Sequence, residues 1–136
     1  MCSRTFTSLK AVILKGHLFP DKELRPDLIA WNSLEDIIII GELTVPMEHQ
    51  LTHSHKRKKD KYFSLKQKLD EEHNDVYLLP FEVSVRGHIE ESLIEFLKHF
   101  KLSTSEMKAA KKSISKTALE CSYKIFLNRN SKSWIN

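Results

Sequence analysis

Four consecutive isoleucines, Ile37 to Ile40, within the stretch from Asp36 to Val45, constrain this chain more than any other feature. Alternate residues of a strand face opposite sides, so β-branched residues at every position predict a strand covered on both faces, hence a central one. Ile38, Ile40, Glu42 and Thr44 then share one face, and Ile39, Gly41 and Leu43 the other. Glu42 is therefore an acid at the end of an apolar row. Leu28 to Trp31 follows Pro26 and ends at the polar turn Asn32-Ser33. It reads as a short strand that pairs with the isoleucine strand as an antiparallel hairpin.

Pro46 closes the isoleucine strand, and a helix starts near Met47 or Glu48, where a proline and an acid suit a helix N-terminus. Along it Leu51, His55, Lys58, Tyr62, Leu65 and Leu69 recur at steps of four and three, which is one helical face. Lys58 lies near the centre of that stripe, on the side that packs on the sheet. Asp75 to Val85, rich in Val, Tyr, Leu and Phe, reads as a further strand. Pro80 places it at an edge or a bulge, and Gly87 ends it. Ile89, Leu93, Phe96, Leu97 and Phe100 predict a short amphipathic helix, and Ser103-Thr104-Ser105-Glu106 is a start signal for another. In that last helix Met107, Ala110, Ile114, Ala118, Cys121 and Ile125 form the expected buried stripe, with Lys108, Lys111, Lys112 and Lys116 off it. Residues 9 to 19 are a strand or a short helix, since so brief an apolar run has no decisive period. The tail from Asn128 is polar and frays apart from Trp134. The expectation is one α/β domain with helical additions at its C-terminal end.

Composition limits what such a domain does. The 136 residues carry 22 Lys and Arg against 18 Asp and Glu, a net charge of +4 that permits a polyanionic partner. Cys2 and Cys121 are too few and too far apart for a disulfide framework or a cysteine-built zinc module, and two thiols fit a reducing compartment. Ala11-Val12-Ile13-Leu14 is shorter than a signal peptide or a membrane span needs. The expectation is a soluble, intracellular protein with no membrane partner.

Arg25-Pro26-Asp27 precedes the first strand of the hairpin, and Glu42 ends the second. Two acids on neighbouring strands are what Mg²⁺ or Mn²⁺ requires, because these hard cations take one or two carboxylates together with waters and substrate phosphate. A metal so held stabilises charge on a scissile phosphate. A lysine that neutralises that charge or positions the attacking water adds to the effect. The simplest arrangement places it two residues after the second acid, where this chain has Thr44. Lys58, reaching inward from the following helix, brings an ammonium to nearly the same place on its four-carbon stem. Each piece alone is ordinary: Arg-Pro-Asp is common in turns, a strand-end Glu is commonly solvated, and a lysine at the rim of an apolar face snorkels. Their combination in order points to a site.

Other constellations are weaker. His49 and His53 have the spacing of two zinc ligands on a helix, but Gln50 stands where a metalloprotease needs its glutamate, and no third ligand is evident. His53 to Lys59 resembles a nuclear-localisation or nucleic-acid patch, in which Lys56, Arg57, Lys59 and Lys61 form a basic rim able to contact phosphates. Neither cysteine has a matched catalytic partner, and no Gly-rich phosphate loop exists.

Arg25-Pro26-Asp27-Leu28-Ile29-Ala30-Trp31, Glu42-Leu43-Thr44-Val45-Pro46, Arg57-Lys58 with Lys61-Tyr62, Phe81-Glu82-Val83 with Arg86-Gly87, and the closing helix with Trp134 together resemble a known family. It is the restriction-like endonuclease domain at the C-terminal end of non-LTR retrotransposon reverse transcriptase polyproteins, a branch of the PD-(D/E)XK nuclease superfamily. The likeness spans residues 18 to 134. It implies a small mixed sheet flanked by helices, with a core over 25 to 100, a C-terminal helix over 101 to 127 and a tail over 128 to 136. It also implies a DNA endonuclease in which Asp27 and Glu42 hold Mg²⁺ or Mn²⁺ and Lys58, in the spacing Lys58-x-x-x-Tyr62, is a migrated catalytic lysine supported by Tyr62. With the basic stretch from His53 to Lys59, the expected location is intracellular and nuclear. Members of the superfamily begin with a helix and a strand, whereas only 24 residues precede Arg25 and no acid occurs before Asp21, so the N-terminal part is expected to be shortened. A degenerate or domesticated copy that binds nucleic acid without cutting it is the alternative. The oligomeric state is left open.

Overall fold

The computed structural model describes residues 24 to 130. The expectations for residues 9 to 19, for Trp134 and for the shortened N-terminal part lie outside the described residues. Within them the order is β1 (Leu28–Asn32), β2 (Ile37–Thr44), a 3-10 turn (Glu48–Gln50), α1 (Leu51–Asp70), β3 (Asp75–Glu82), α2 (Glu91–Lys98) and α3 (Thr104–Asn128).

The isoleucine strand is central, as its two apolar faces require. The sheet order is β1-β2-β3, with β1 antiparallel to β2 (Ile29 opposite Ile40, Trp31 opposite Ile38) and β3 parallel to it (Ile38 beside Val76, Thr44 beside Glu82). Helix α1 makes the crossover that two parallel neighbours need. The hairpin closes through Asn32, whose side-chain oxygen accepts the amides of Leu34 and Glu35, and through Asp36, which adopts φ 53°. Pro80 sits in β3, an edge strand among the described elements, where a missing amide interrupts no ladder.

Each face of β2 covers a different core. Ile38 and Ile40, with Ile29, Val76 and Leu78, pack under Tyr62, Leu65 and Leu69 of α1. Ala30 and Ile39 pack on the other side with Val83, Leu93, Phe96, Leu97 and Ala118, from the α2 and α3 side. The α1 stripe read from the sequence is thus the packed face, with Leu51, His55 and Lys58 half-buried at its upper end.

Beyond Glu82 the chain turns, and Gly87 makes the turn possible. Its φ is +80°, and a Cβ there would stand 2.6 Å from the Ser115 carbonyl oxygen of α3. Helix α3 opens with a complete capping box: Ser103 Oγ accepts the Glu106 amide at 3.3 Å while the Ser103 amide donates to Glu106 Oε2 at 2.8 Å. One expectation needs correcting here. Met107, Ala110, Ile114 and Ala118 pack on the body, but Cys121 is exposed and Ile125 is 54 % exposed, because α3 continues past the sheet it covers.

Candidate active site

The register of the hairpin assembles the acids. Leu28 pairs with Gly41, so Asp27 and Glu42 stand beside each other just past the end of the ladder. They lock the strand ends reciprocally: the Asp27 amide donates to Glu42 Oε2 at 3.0 Å, and the Leu43 amide donates to Asp27 Oδ2 at 2.9 Å. Glu42 is only 4 % exposed, whereas Asp27 is exposed. A carboxylate taken that far out of water needs a counter-charge. Lys58 Nζ provides it, in a short charge-assisted contact with Glu42 Oε1.

Tyr62 lies one turn further along α1 and is fully buried. Its hydroxyl donates to the Arg25 carbonyl oxygen at 3.1 Å, so it fixes the segment that carries Asp27. The resemblance implied a support for Lys58; the Arg25 carbonyl that Tyr62 holds lies two residues before Asp27. Burial pushes the Tyr62 phenol well above its ordinary value near 10, and the negative charges of Glu42 and Asp27 push the same way. Between about pH 10 and that raised value the unfolded chain releases the phenolic proton while the folded chain keeps it, so folding stability falls as pH rises. Tyr62→Phe is expected to lose about 1 kcal/mol at neutral pH through the missing hydrogen bond. It should also lose less stability than the wild type between about pH 9 and pH 11, the region around the free phenol's pKa. Urea unfolding at both pH values reads this, and equal losses in the two proteins would contradict it.

Of the basic rim, Lys56 and Lys59 line an open cavity of 490 Å³ together with His55 and Glu82. Arg57 and Lys61 occupy the other flank of α1, as the helical period places them, and Lys61 Nζ stands 4.9 Å from the centre of the Tyr62 ring. His49 belongs to the 3-10 turn and His53 to α1, both exposed. Among the described residues no group of three or more His, Cys, Asp or Glu side chains could hold a metal ion. Two carboxylates completed by water and phosphate do not need such a group.

Two residues of this region, Glu82 and His55, were given no chemical role by the sequence. Glu82 continues the row Val76, Leu78, Pro80 on the α1 face and is 3 % exposed. Both its carboxylate oxygens lie 3.1 Å from His55 Nδ1, and Oε2 accepts the Ser92 hydroxyl at 2.5 Å. The sequence signal was available: an acid on the inward parity of a strand, and a histidine on the inward stripe of the helix. The two belong together only once β3 is set parallel to β2. Between the two pairs, Thr44 Oγ1 is buried without a hydrogen-bond partner among the described residues.

No helix among the described residues is long and apolar enough to cross a membrane. Comparisons of the chain with protein-family models, with curated proteins and with solved structures give no match.

Proposed function

We propose that this chain is a metal-dependent DNA endonuclease domain of retrotransposon origin, built on a restriction-endonuclease-like core. The observation that carries the reading is the meeting of Asp27, Glu42 and Lys58 at one end of the β1–β2 hairpin, with the lysine supplied by α1. The donor set fits Mg²⁺ or Mn²⁺: two hard carboxylates on adjacent strands, one of them exposed. When bound, such an ion supplies charge stabilisation at the scissile phosphate and a more nucleophilic water. The chain's own residues do the remainder. Lys58 holds a fixed positive charge where negative charge builds on the phosphate. Tyr62 keeps the Asp27 segment in place through the Arg25 carbonyl. Lys56, Arg57, Lys59 and Lys61 attract the DNA backbone without reading its sequence. Nuclear action on chromosomal DNA is the setting this reading implies.

One observation favours a second reading. Both oxygens of Glu42 already have partners within the protein, Asp27 and Lys58, so the trio also serves as a plain structural ion pair. A nuclease-derived module that grips DNA without cutting it would keep the same contacts. Nicking of supercoiled plasmid separates the two. The expected result is relaxation in Mg²⁺ or Mn²⁺, none in EDTA, and none with the Asp27→Ala/Glu42→Ala protein. Salt-sensitive DNA binding with no cleavage in either metal would establish the second reading and defeat the first.

A further inference from the structure

Glu82 is a buried carboxylate whose side-chain partners are a histidine and a serine. The Glu82 amide in turn donates to Ser92 Oγ at 3.1 Å, so the carboxylate is clamped from α2 while it holds the imidazole of α1. A carboxylate against Nδ1 places the ring's proton on Nδ1 and leaves Nε2 as the nitrogen able to exchange a proton. The His55 side chain is 33 % exposed, and its ring borders the 490 Å³ cavity. The dyad is held by Ser92 and borders an open cavity.

Its position relative to Lys58 and Glu42 follows from the elements. His55 lies three residues before Lys58 on the same face of α1, about 4.5 Å along the axis. Glu82 stands beside Thr44, two residues past Glu42 on the same sheet face, which is about 7 Å along the strand. The backbones that carry the two pairs are therefore about 5–8 Å apart, on one face of α1 and one face of the sheet. In-line displacement at phosphorus needs groups on opposite sides, one for the attacking water and one for the leaving oxygen.

We propose that His55 is the general acid of this site, and that Glu82 is the residue that positions it. The inference rests on the endonuclease reading above and assigns the leaving-group side of that reaction. A water oxygen forms the new bond to phosphorus, and the bond from phosphorus to the leaving sugar oxygen breaks with its electron pair on oxygen. The proton on His55 Nε2 passes to that oxygen; the water's proton goes to solvent, from which Nε2 is recharged. The charged groups around His55 are Glu82 from β3, Glu90 and Glu91 at the start of α2, and Lys56, Lys58 and Lys59 of its own helix.

Comparison of two substrates tests this. His55→Gln in the full chain should cut DNA about 100-fold more slowly than the wild type. On bis(p-nitrophenyl) phosphate, whose leaving group departs as a stable anion, it should be within about threefold. The wild-type rate on DNA should decline as pH rises through the range in which histidines lose their second proton, and His55→Gln should lack that decline. In metal-free protein at about pH 8, imidazole nitrogen-15 shifts should report a proton on Nδ1 of His55, a preference that Glu82→Gln weakens. Equal slowing of His55→Gln on both substrates, or a DNA rate and pH profile like the wild type's, overturns the proposal while leaving the endonuclease reading intact. A wild-type protein that cuts neither substrate overturns both.

Discussion

Glu42→Ala is expected to remove cleavage and to weaken the fold at once. Glu42 is 4 % exposed and accepts the Asp27 amide and the Lys58 ammonium. Truncation leaves Lys58, 19 % exposed along its side chain, on an apolar helix face with no counter-charge. Breaking one side of a buried pair costs about 3–5 kcal/mol when the remaining charge cannot escape. Lys58 can turn partly toward water, so a loss of about 2–3 kcal/mol is expected. The cleavage rate should fall about 1000-fold, since both a metal ligand and the partner of the phosphate-side cation disappear. Glu42→Gln separates the two effects. It retains an acceptor for the Asp27 amide and the side-chain volume, so about half of the stability loss should be recovered, while cleavage stays as low as in Glu42→Ala. Urea unfolding and plasmid nicking on the two variants read the split. A Glu42→Gln protein that cuts like the wild type would remove Glu42 from the chemistry.

The sequence made the architecture legible where local chemistry is strong. A run such as Ile37 to Ile40 has one stable position, the middle of a covered sheet, and the central β2 occupies it. Pro80 placed β3 at an edge or a bulge, and the capping box at Ser103 located the start of α3. What failed was the extent of packing. A helical stripe tells which side of α3 is apolar, but the body it packs on ends near Ala118, and the periodicity runs on regardless through Cys121 and Ile125.

Contacts between residues far apart in sequence were the harder part. Tyr62 reaches back 37 residues to the Arg25 carbonyl, and His55 forward 27 to Glu82. Neither link has a local signature, because each depends on the parallel setting of β3 or on the path of the chain into β1. The Lys58 to Glu42 link was more accessible. Strand parity gave the face of Glu42, helical period gave the face of Lys58, and the two faces pack together around Ile38, Ile40 and Tyr62.

That link yields the sharpest expectation about how the site divides its labour. Lys58→Met keeps the apolar stem and removes the charge, so cleavage should fall about 100-fold through lost stabilisation of the phosphate. Divalent-ion binding should move in the opposite direction. The ammonium now sits against Glu42 Oε1 and competes for the same carboxylate. Two unit charges about 4 Å apart interact by about 4 kcal/mol at an effective dielectric of 20. Even after screening, removing the repelling cation should tighten Mn²⁺ binding by about tenfold. Calorimetric titration of the full chain measures that half of the expectation, and nicking measures the other. Weaker Mn²⁺ binding in Lys58→Met would mean that the lysine organises the acids instead of competing with the metal. Thr44 offers the complement: it lies on the Glu42 face, two residues on, with its hydroxyl unpartnered among the described residues. Thr44→Lys added to Lys58→Met places an ammonium on the strand instead of the helix, and it should restore about tenfold of the lost cleavage while reversing the gain in Mn²⁺ affinity. Recovery of one without the other would show that the position of the charge, and not only its presence, decides what the site does.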